Sequence, residues 1–372
     1  YSTGLIESQP LFQAAALADY RTLLTSPSLT ESAHAVIFDG SDLADNLHLK
    51  VTDGGGLSYS YDGVTFTTLS TFSLAGGAIT VNLGTGDDHL FIDNNPTPAV
   101  KLSAASLSVF GDDGVDGVTI TEGINLSGGL RAEAETIAVT GANLVAGGSI
   151  AFLASASTAS SLGSAVARIT LDAADLNAAA IVLTANANAS ATSSLNFGPG
   201  AAALINTTAT AEVLVTNATR LTSSGDVTLH ADSVTVTQAV SRAVGGTGSV
   251  SADAAVATSV VTGSAKVNVA GGTIDVDGAV ELAATNSRTV TTLADGTAGG
   301  STAVGATVAV STVSGDTEAS IDGSSHVLKA GSVKVSATKL DSISTTAKST
   351  AGGAQHSSGA PTAAENTLTT NN

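Results

Sequence analysis

The sequence predicts an all-β chain, built as an elongated parallel β-helix and closed at one end by a short α-helix. Three observations carry that expectation. The motif Gly-x-Val-x-[Leu/Val]-x-Ala recurs as Gly225–Ala231, Gly278–Ala284 and Gly331–Ala337, with the leading glycines 53 residues apart both times. A fixed period of that size means one structural unit stacked on itself. Apolar and polar residues alternate with period 2 over most of the chain, the pattern of strands with one buried face. Hydrophobic residues make up 43% of the 372 residues but aromatics only 3%. Much of that apolar share is Ala and Val, and small or β-branched side chains suit thin layered β structure better than a thick enzyme core.

Taken in order, residues 1–27 form the predicted cap. Ser8 can cap a helix over 5–24, Pro10 sits in its first turn, and Phe12, Ala16, Tyr20 and Leu23 share one face. Ser26-Pro27 stops it. Strands then begin at Val36-Ile37-Phe38, Leu47–Val51, Leu57–Tyr61 and Val64–Phe66, separated by Gly and Asp turns. Tyr59–Val64 reads as a hairpin turning at Asp62-Gly63. Phe and Tyr nearly vanish after residue 152, so the composition divides the chain into an aromatic, Asp/Gly-containing β region at 28–127 and a repeat region at 128–350.

In the repeat region, looser copies of the motif start at Gly128 and Gly148, with a third relative at Ala179–Ala185. The short spacing of the first two matches one turn of a parallel β-helix, about twenty residues. The 53-residue units then need extra length, visible around Gly245-Gly246 and Gly299-Gly300. Each is read as a long strand pair folding about the Gly-Gly or as a wide coil. Residues 351–372 are rich in Gly, Ser, Thr and Asn and read as a mobile polar tail.

The net charge of −19 disfavours nucleic acid, which needs Lys/Arg clusters, and an anionic membrane surface alike. Without cysteine, no disulfide, thiolate metal site or cysteine nucleophile can form. No run of about 18 apolar residues is present to span a membrane, and no signal peptide is recognisable. The chain starts at Tyr1 and contains no Met, which implies processing or a fragment of something longer.

The sharpest chemical motif is Leu83–Phe91, which places Gly84, Gly86, Asp88 and Leu90 as in the Ca²⁺-binding nonapeptide Gly-Gly-x-Gly-x-Asp-x-U-x. Gly111–Thr119 is a partial match carrying Asp112 and Asp116, and Asp45-Asn46-Leu47 keeps only Asp-x-Leu. Glycine-freed turn carbonyls and one carboxylate per turn are hard oxygen ligands. The candidate Ca²⁺ residues are therefore Asp45, Asp87, Asp88, Asp112 and Asp116. Asp45, Asp88 and Asp116 are well separated along the chain and unequally spaced, so they meet only if each interval closes a whole coil in register. Otherwise they merely punctuate strands.

Nucleophilic catalysis finds no support, and no enzymatic activity is expected. The six histidines (34, 48, 89, 230, 326 and 356) are scattered, and His230 falls on an outward position. Asp87/Asp88 and Asp112/Asp113/Asp116 would have to line a glycan groove, yet there is no Trp to stack sugars and no Tyr after residue 61. A polysaccharide lyase or hydrolase is thus the alternative rather than the leading reading.

Over residues 36–350, the strand–Gly–strand composition, the long regular units and phrases such as Ile79–Asp88 resemble very large bacterial surface proteins. These are the filamentous-haemagglutinin-like adhesins and the giant repeat proteins that begin with a Leu-Glu-Pro-Arg motif, which is absent here. The resemblance implies export to the cell surface, a right-handed β-helix, and a role in adhesion, aggregation or envelope structure. Expected partners are copies of the chain itself or neighbouring surface components. A Ca²⁺-stabilised spacer within a larger adhesin is a further alternative.

Overall fold

The computed structural model describes residues 26–93, 101–246, 248–300, 302–353 and 362–368. All regular structure among them is β, and the helix expected over 5–24 lies outside the described residues. The strands form two sheets, of 15 and 12 strands, and the chain passes back and forth between them.

Register organises everything else. In the first sheet one in-register column runs Val36, Ile79, Leu107, Leu130, Ile150, Ile181, Val227, Val280, Val333, every neighbouring pair being parallel. The second sheet carries a matching column through Leu47, Leu90, Val118, Ile137, Ile169, Val213, Val267 and Ala319. The three strict copies of the glycine-led motif and its three looser relatives all sit in that first column, so the repeat seen in the sequence is a stacking register. The two faces meet in one apolar core that runs from Val36 to Ala284 without a break at residue 127. Bulk is matched between levels: Ala132 lies beside Phe152, and both are buried.

The stack is closed at its N-terminal end by antiparallel strands. Ser28–Glu31 covers Ala35–Asp39, while Leu57–Ser60 and then Thr67–Thr68 extend the edge beyond Asn46–Val51. Such strands turn a parallel edge away from further pairing. The predicted turn at Asp62-Gly63 is present, with Asp62 Oδ1 accepting the N–H groups of Val64 and Thr65 at 2.8 and 2.7 Å. The returning strand is Thr67–Thr68 rather than Val64–Phe66, because Asp62 holds that segment in the loop.

The interval between levels of the first sheet is shortest from Leu130 to Ile150 and widens to the full repeat length from Val227 to Val280. The added length goes into longer strands. Val227–Val244 and Val250–Ala270 flank Gly245-Gly246 but lie in different sheets, so the wide-coil reading is the one realised. At about 3.3 Å per residue, the 22-residue strand Ala279–Gly300 is roughly 70 Å long, whereas nine levels at about 4.8 Å stack to only roughly 40 Å. The elongated rod expected from the sequence is instead a wedge, wider than it is tall.

Two further corrections concern the C-terminal end. Val227, Leu229, Val280 and Leu282 are fully buried as predicted, but Val333 and Val335 are 47% and 45% exposed. They keep the register, yet Ser332–Gly353 pairs only with Ala279–Gly300, and no described strand stacks beyond it. Residues 362–368, within the polar tail of the sequence reading, form a strand that pairs in parallel with Thr302–Ser314. A Thr/Ala-rich segment with no aliphatic run can join a sheet when a neighbouring strand supplies the backbone partners.

Candidate functional site

The acidic turns of the N-terminal half come together in a single-file ladder. The Asp45 N–H donates to Asp88 Oδ1 at 2.6 Å, the Asp88 N–H to Asp116 Oδ1 at 3.0 Å, and the Asp116 N–H to Glu135 Oε2 at 2.6 Å. At the first rung, Asp45 Oδ2 accepts the Ser41 N–H at 2.7 Å and the Ser41 hydroxyl at 2.9 Å. Asp88, Asp116 and Glu135 each thus pin the backbone of the preceding level. The intervals of 43 and 28 residues close whole levels in register, which is the condition the sequence set for these aspartates to meet.

Glycine makes the close stacking of these turns feasible. A Cβ at Gly114 would overlap the carbonyl oxygen of Gly86 one level down, and Gly114 has φ of 151°. The Gly86 N–H donates to the Asp113 carbonyl at 2.8 Å. Gly111 leaves room for Asp116, whose Oδ2 would stand 2.7 Å from a Cβ placed there.

Asp88 and Asp116 are each only 1% exposed. Burial pushes both carboxyls up to about 6, partly offset for Asp88 by the Asp45 N–H and for Asp116 by the Asp88 N–H; the neighbouring acids add to the rise. Burial also raises Glu135. Asp88 Oδ2 and Asp116 Oδ2 have no hydrogen-bond partner. The remaining candidates sit outside the column. Asp87 is exposed and uses Oδ1 to accept the Val115 N–H at 3.0 Å, and exposed Asp112 contributes only its backbone, facing Asp116. Among the described residues, no group of three or more His, Cys, Asp or Glu is placed to hold a metal ion.

Glu135 escaped the sequence reading because no Gly/Asp turn surrounds it. Its signal is positional: it lies 19 residues beyond Asp116, just as the levels narrow.

Two histidines that look scattered also meet. His48 and Phe91 are register partners on the outer face of the second sheet, with rings stacked at 4.4 Å; His89, on the same strand as Phe91, stacks on it at 4.1 Å. His48 Nδ1 lies 2.7 Å from Asp93 Oδ2 and His89 Nε2 2.9 Å from Thr119 Oγ1. Gly117, the register partner of His89, supplies the space, since a Cβ there would overlap the ring. His230 is half-buried on an outward position of its strand.

The outer face of the first sheet is concave where the levels are narrowest. Ser108, Arg131, Ala151 and Val182 line a groove of about 540 Å³ there, with Arg131 paired to Glu133 and lying over the Phe110 ring. Further along, the second sheet carries a column of alternating charge, Arg168, Glu212, Lys266 and Glu318, in strict register. Its pairs close at 2.6 Å between Arg168 and Glu212 and 3.2 Å between Lys266 and Glu318. Exposed pairs of this kind contribute at most about 1 kcal/mol each, so they favour register more than stability.

Among the described residues, no helix is long and apolar enough to cross a membrane. No family model matches the chain, and no curated protein or solved structure matches it either.

Proposed function

We propose that this protein is an extracellular structural or adhesive β-solenoid of a bacterial cell surface or filament, folded as a right-handed parallel β-helix. The observation that carries this reading is the in-register parallel column from Val36 to Val333, which makes the molecule a stack rather than a globule around a cleft. Its partners are copies of itself or neighbouring surface components. The N-terminal end is closed by antiparallel strands, whereas at the wide end Val333, Val335 and Leu340 are 45–56% exposed along Ser332–Gly353. A long parallel edge of this kind takes up a further strand readily. Light scattering and negative-stain micrographs test it: assemblies joined through the wide end are expected as concentration rises. Monodisperse single particles at every concentration would overturn the self-association.

A glycan lyase or hydrolase fits less well. The aspartates that would do acid–base work, Asp88 and Asp116, are 1% exposed and hold backbone N–H groups. Turnover of uronic-acid polymers, lost on Asp88→Asn, would reverse that order. A Ca²⁺-stabilised spacer is the second reading, favoured by the unpartnered oxygens Asp88 Oδ2 and Asp116 Oδ2.

A further inference from the structure

The strands Gly200–Thr216, Val250–Ala270 and Thr302–Ser314 are consecutive neighbours in the second sheet, paired in parallel without a register shift. Alternate residues along them point into the core, and the others face outward. Over the first half of each strand the outward residues are largely apolar. Ala254 pairs with Ala306 and Val256 with Val308, while Val304 and Leu204 stand 52% and 55% exposed beside them.

No Asp, Glu, Lys or Arg takes an outward position on these three strands before Glu212 and Lys266, which belong to the paired charge column. Asn206, Thr262 and Thr312 begin an uncharged polar rim on that side, and on the next strand the register sets Glu365 beside Val310. The first sheet does not share this character. In the same coils its outward positions include Asp232, Arg242, Glu281 and Asp295. One broad face of the wedge is therefore apolar and the other charged.

At about 3.3 Å per residue and about 4.8 Å between strands, the apolar stretch covers roughly 500 Å². Soluble monomers seldom expose more than a few hundred Å² in one patch. Two such faces bury about 1,000 Å² together, and the rim carries the total past the lower bound of a specific interface. An apolar centre inside a polar rim is also how protein interfaces are built.

Charge selects the occupant. With a net charge of −19, two copies of this chain repel each other over most of their surface, but here they meet without opposing like charges. A lipid surface suits the face less well. Faces that lie on membranes carry Lys or Arg and aromatic anchors, and the outward positions of this stretch have neither. Sheet faces pack about 10 Å apart with their strands nearly aligned, and one patch meets itself about a two-fold axis.

We propose that the outer face of the second sheet around Val256 and Val308 is the interface of a two-fold dimer, packed sheet on sheet with a second copy of this chain. The contact is lateral. It is separate from the end-on contact through Ser332–Gly353, so either can fail alone.

The chain has no cysteine, so a single introduced one reports on one place. Sedimentation velocity of the full chain is expected to show a dimer that dissociates on dilution. Val256→Cys should be joined to its own copy by a bismaleimide of about 10 Å reach, the spacing of packed sheets. Val236→Cys, exposed on the outer face of the first sheet, should stay unjoined. Val308→Lys should melt as wild type does and lose the dimer, whereas Leu340→Lys at the wide end should keep it. A wild type that stays monomeric at every concentration overturns the proposal, as does a dimer that survives Val308→Lys. A dimer lost in Leu340→Lys instead overturns this interface and leaves the end-on contact standing. If Val308→Lys lowers Tm, the cross-link decides, and equal joining of Val256→Cys and Val236→Cys overturns the proposal. Wild type that floats with phosphatidylcholine vesicles, an affinity lost in Val308→Lys, would make the face a lipid-binding one and overturn the dimer.

Discussion

The Asp88 amide donates to the Asp116 carboxylate across 3.0 Å, joining turns 28 residues apart in sequence. The same geometry repeats from Asp45 to Asp88 and from Asp116 to Glu135. A carboxylate column buried in this way is both a staple and a charge burden, and it makes the N-terminal half sensitive to pH.

Asp88 and Asp116 titrate near 6 when folded, above the ordinary carboxylate value. The folded state therefore holds more protons than the unfolded chain between about pH 4 and 6, and stability falls as pH rises through that window. Each group contributes on the order of 2–3 kcal/mol to the change. Denaturant unfolding should give higher stability at pH 5 than at pH 7.5. Asp88→Asn, which keeps an acceptor for the Asp45 N–H, should be stabilising at pH 7.5 and flatten the profile. A profile rising from pH 5 to 7.5 would contradict this account.

If Ca²⁺ sits on the unpartnered oxygens of the ladder, it stabilises the folded state by mass action. Chelator should then lower the melting transition, and Asp88→Ala combined with Asp116→Ala should abolish the response. Identical melting with Ca²⁺ and with chelator leaves the aspartates as backbone staples alone.

Leu229, Leu282 and Val335 occupy one in-register column but not one environment. Leu282 is fully buried and Val335 is 45% exposed. Leu282→Ala should cost roughly 2–5 kcal/mol and Val335→Ala less than about 1 kcal/mol in chemical denaturation. Equal costs would mean that the last level is covered in solution.

Arg288 is fully buried and forks onto Asp341 of the next level, with both contacts at 2.6 Å. Asp341→Ala strands a buried guanidinium and should cost roughly 3 kcal/mol, while Arg288→Met combined with Asp341→Ala should recover most of it. A double variant as unstable as the single one would show that packing, not charge, is lost.

Gly114 admits no side chain, since its Cβ would overlap the Gly86 carbonyl. Gly114→Ala should destabilise the ladder region by roughly 1–3 kcal/mol, read as faster amide exchange around Asp88 and Asp116. Unchanged exchange would mean that the turns do not stack this closely.

The β character, the alternation and the stacking unit are all legible in the chain alone. Period 2 is a local property of the chain, and Gly225, Gly278 and Gly331 recur at one fixed interval because their levels have equal length. The chain also sets the intervals that bring Asp45, Asp88 and Asp116 together. Contacts that depend on register between levels of unequal length come only from packing. Glu135 joins the ladder, and His48 reaches His89 through Phe91, only because strands of different intervals are laid side by side. Alternation marks an inward position but not whether a further level covers it, so Val333 and Val335 remain exposed where Val280 and Leu282 are buried. Nor does it reveal the facing sheet, which alone places Arg288 and Asp253 inside the molecule, each where the pattern of small residues around it read as ordinary strand.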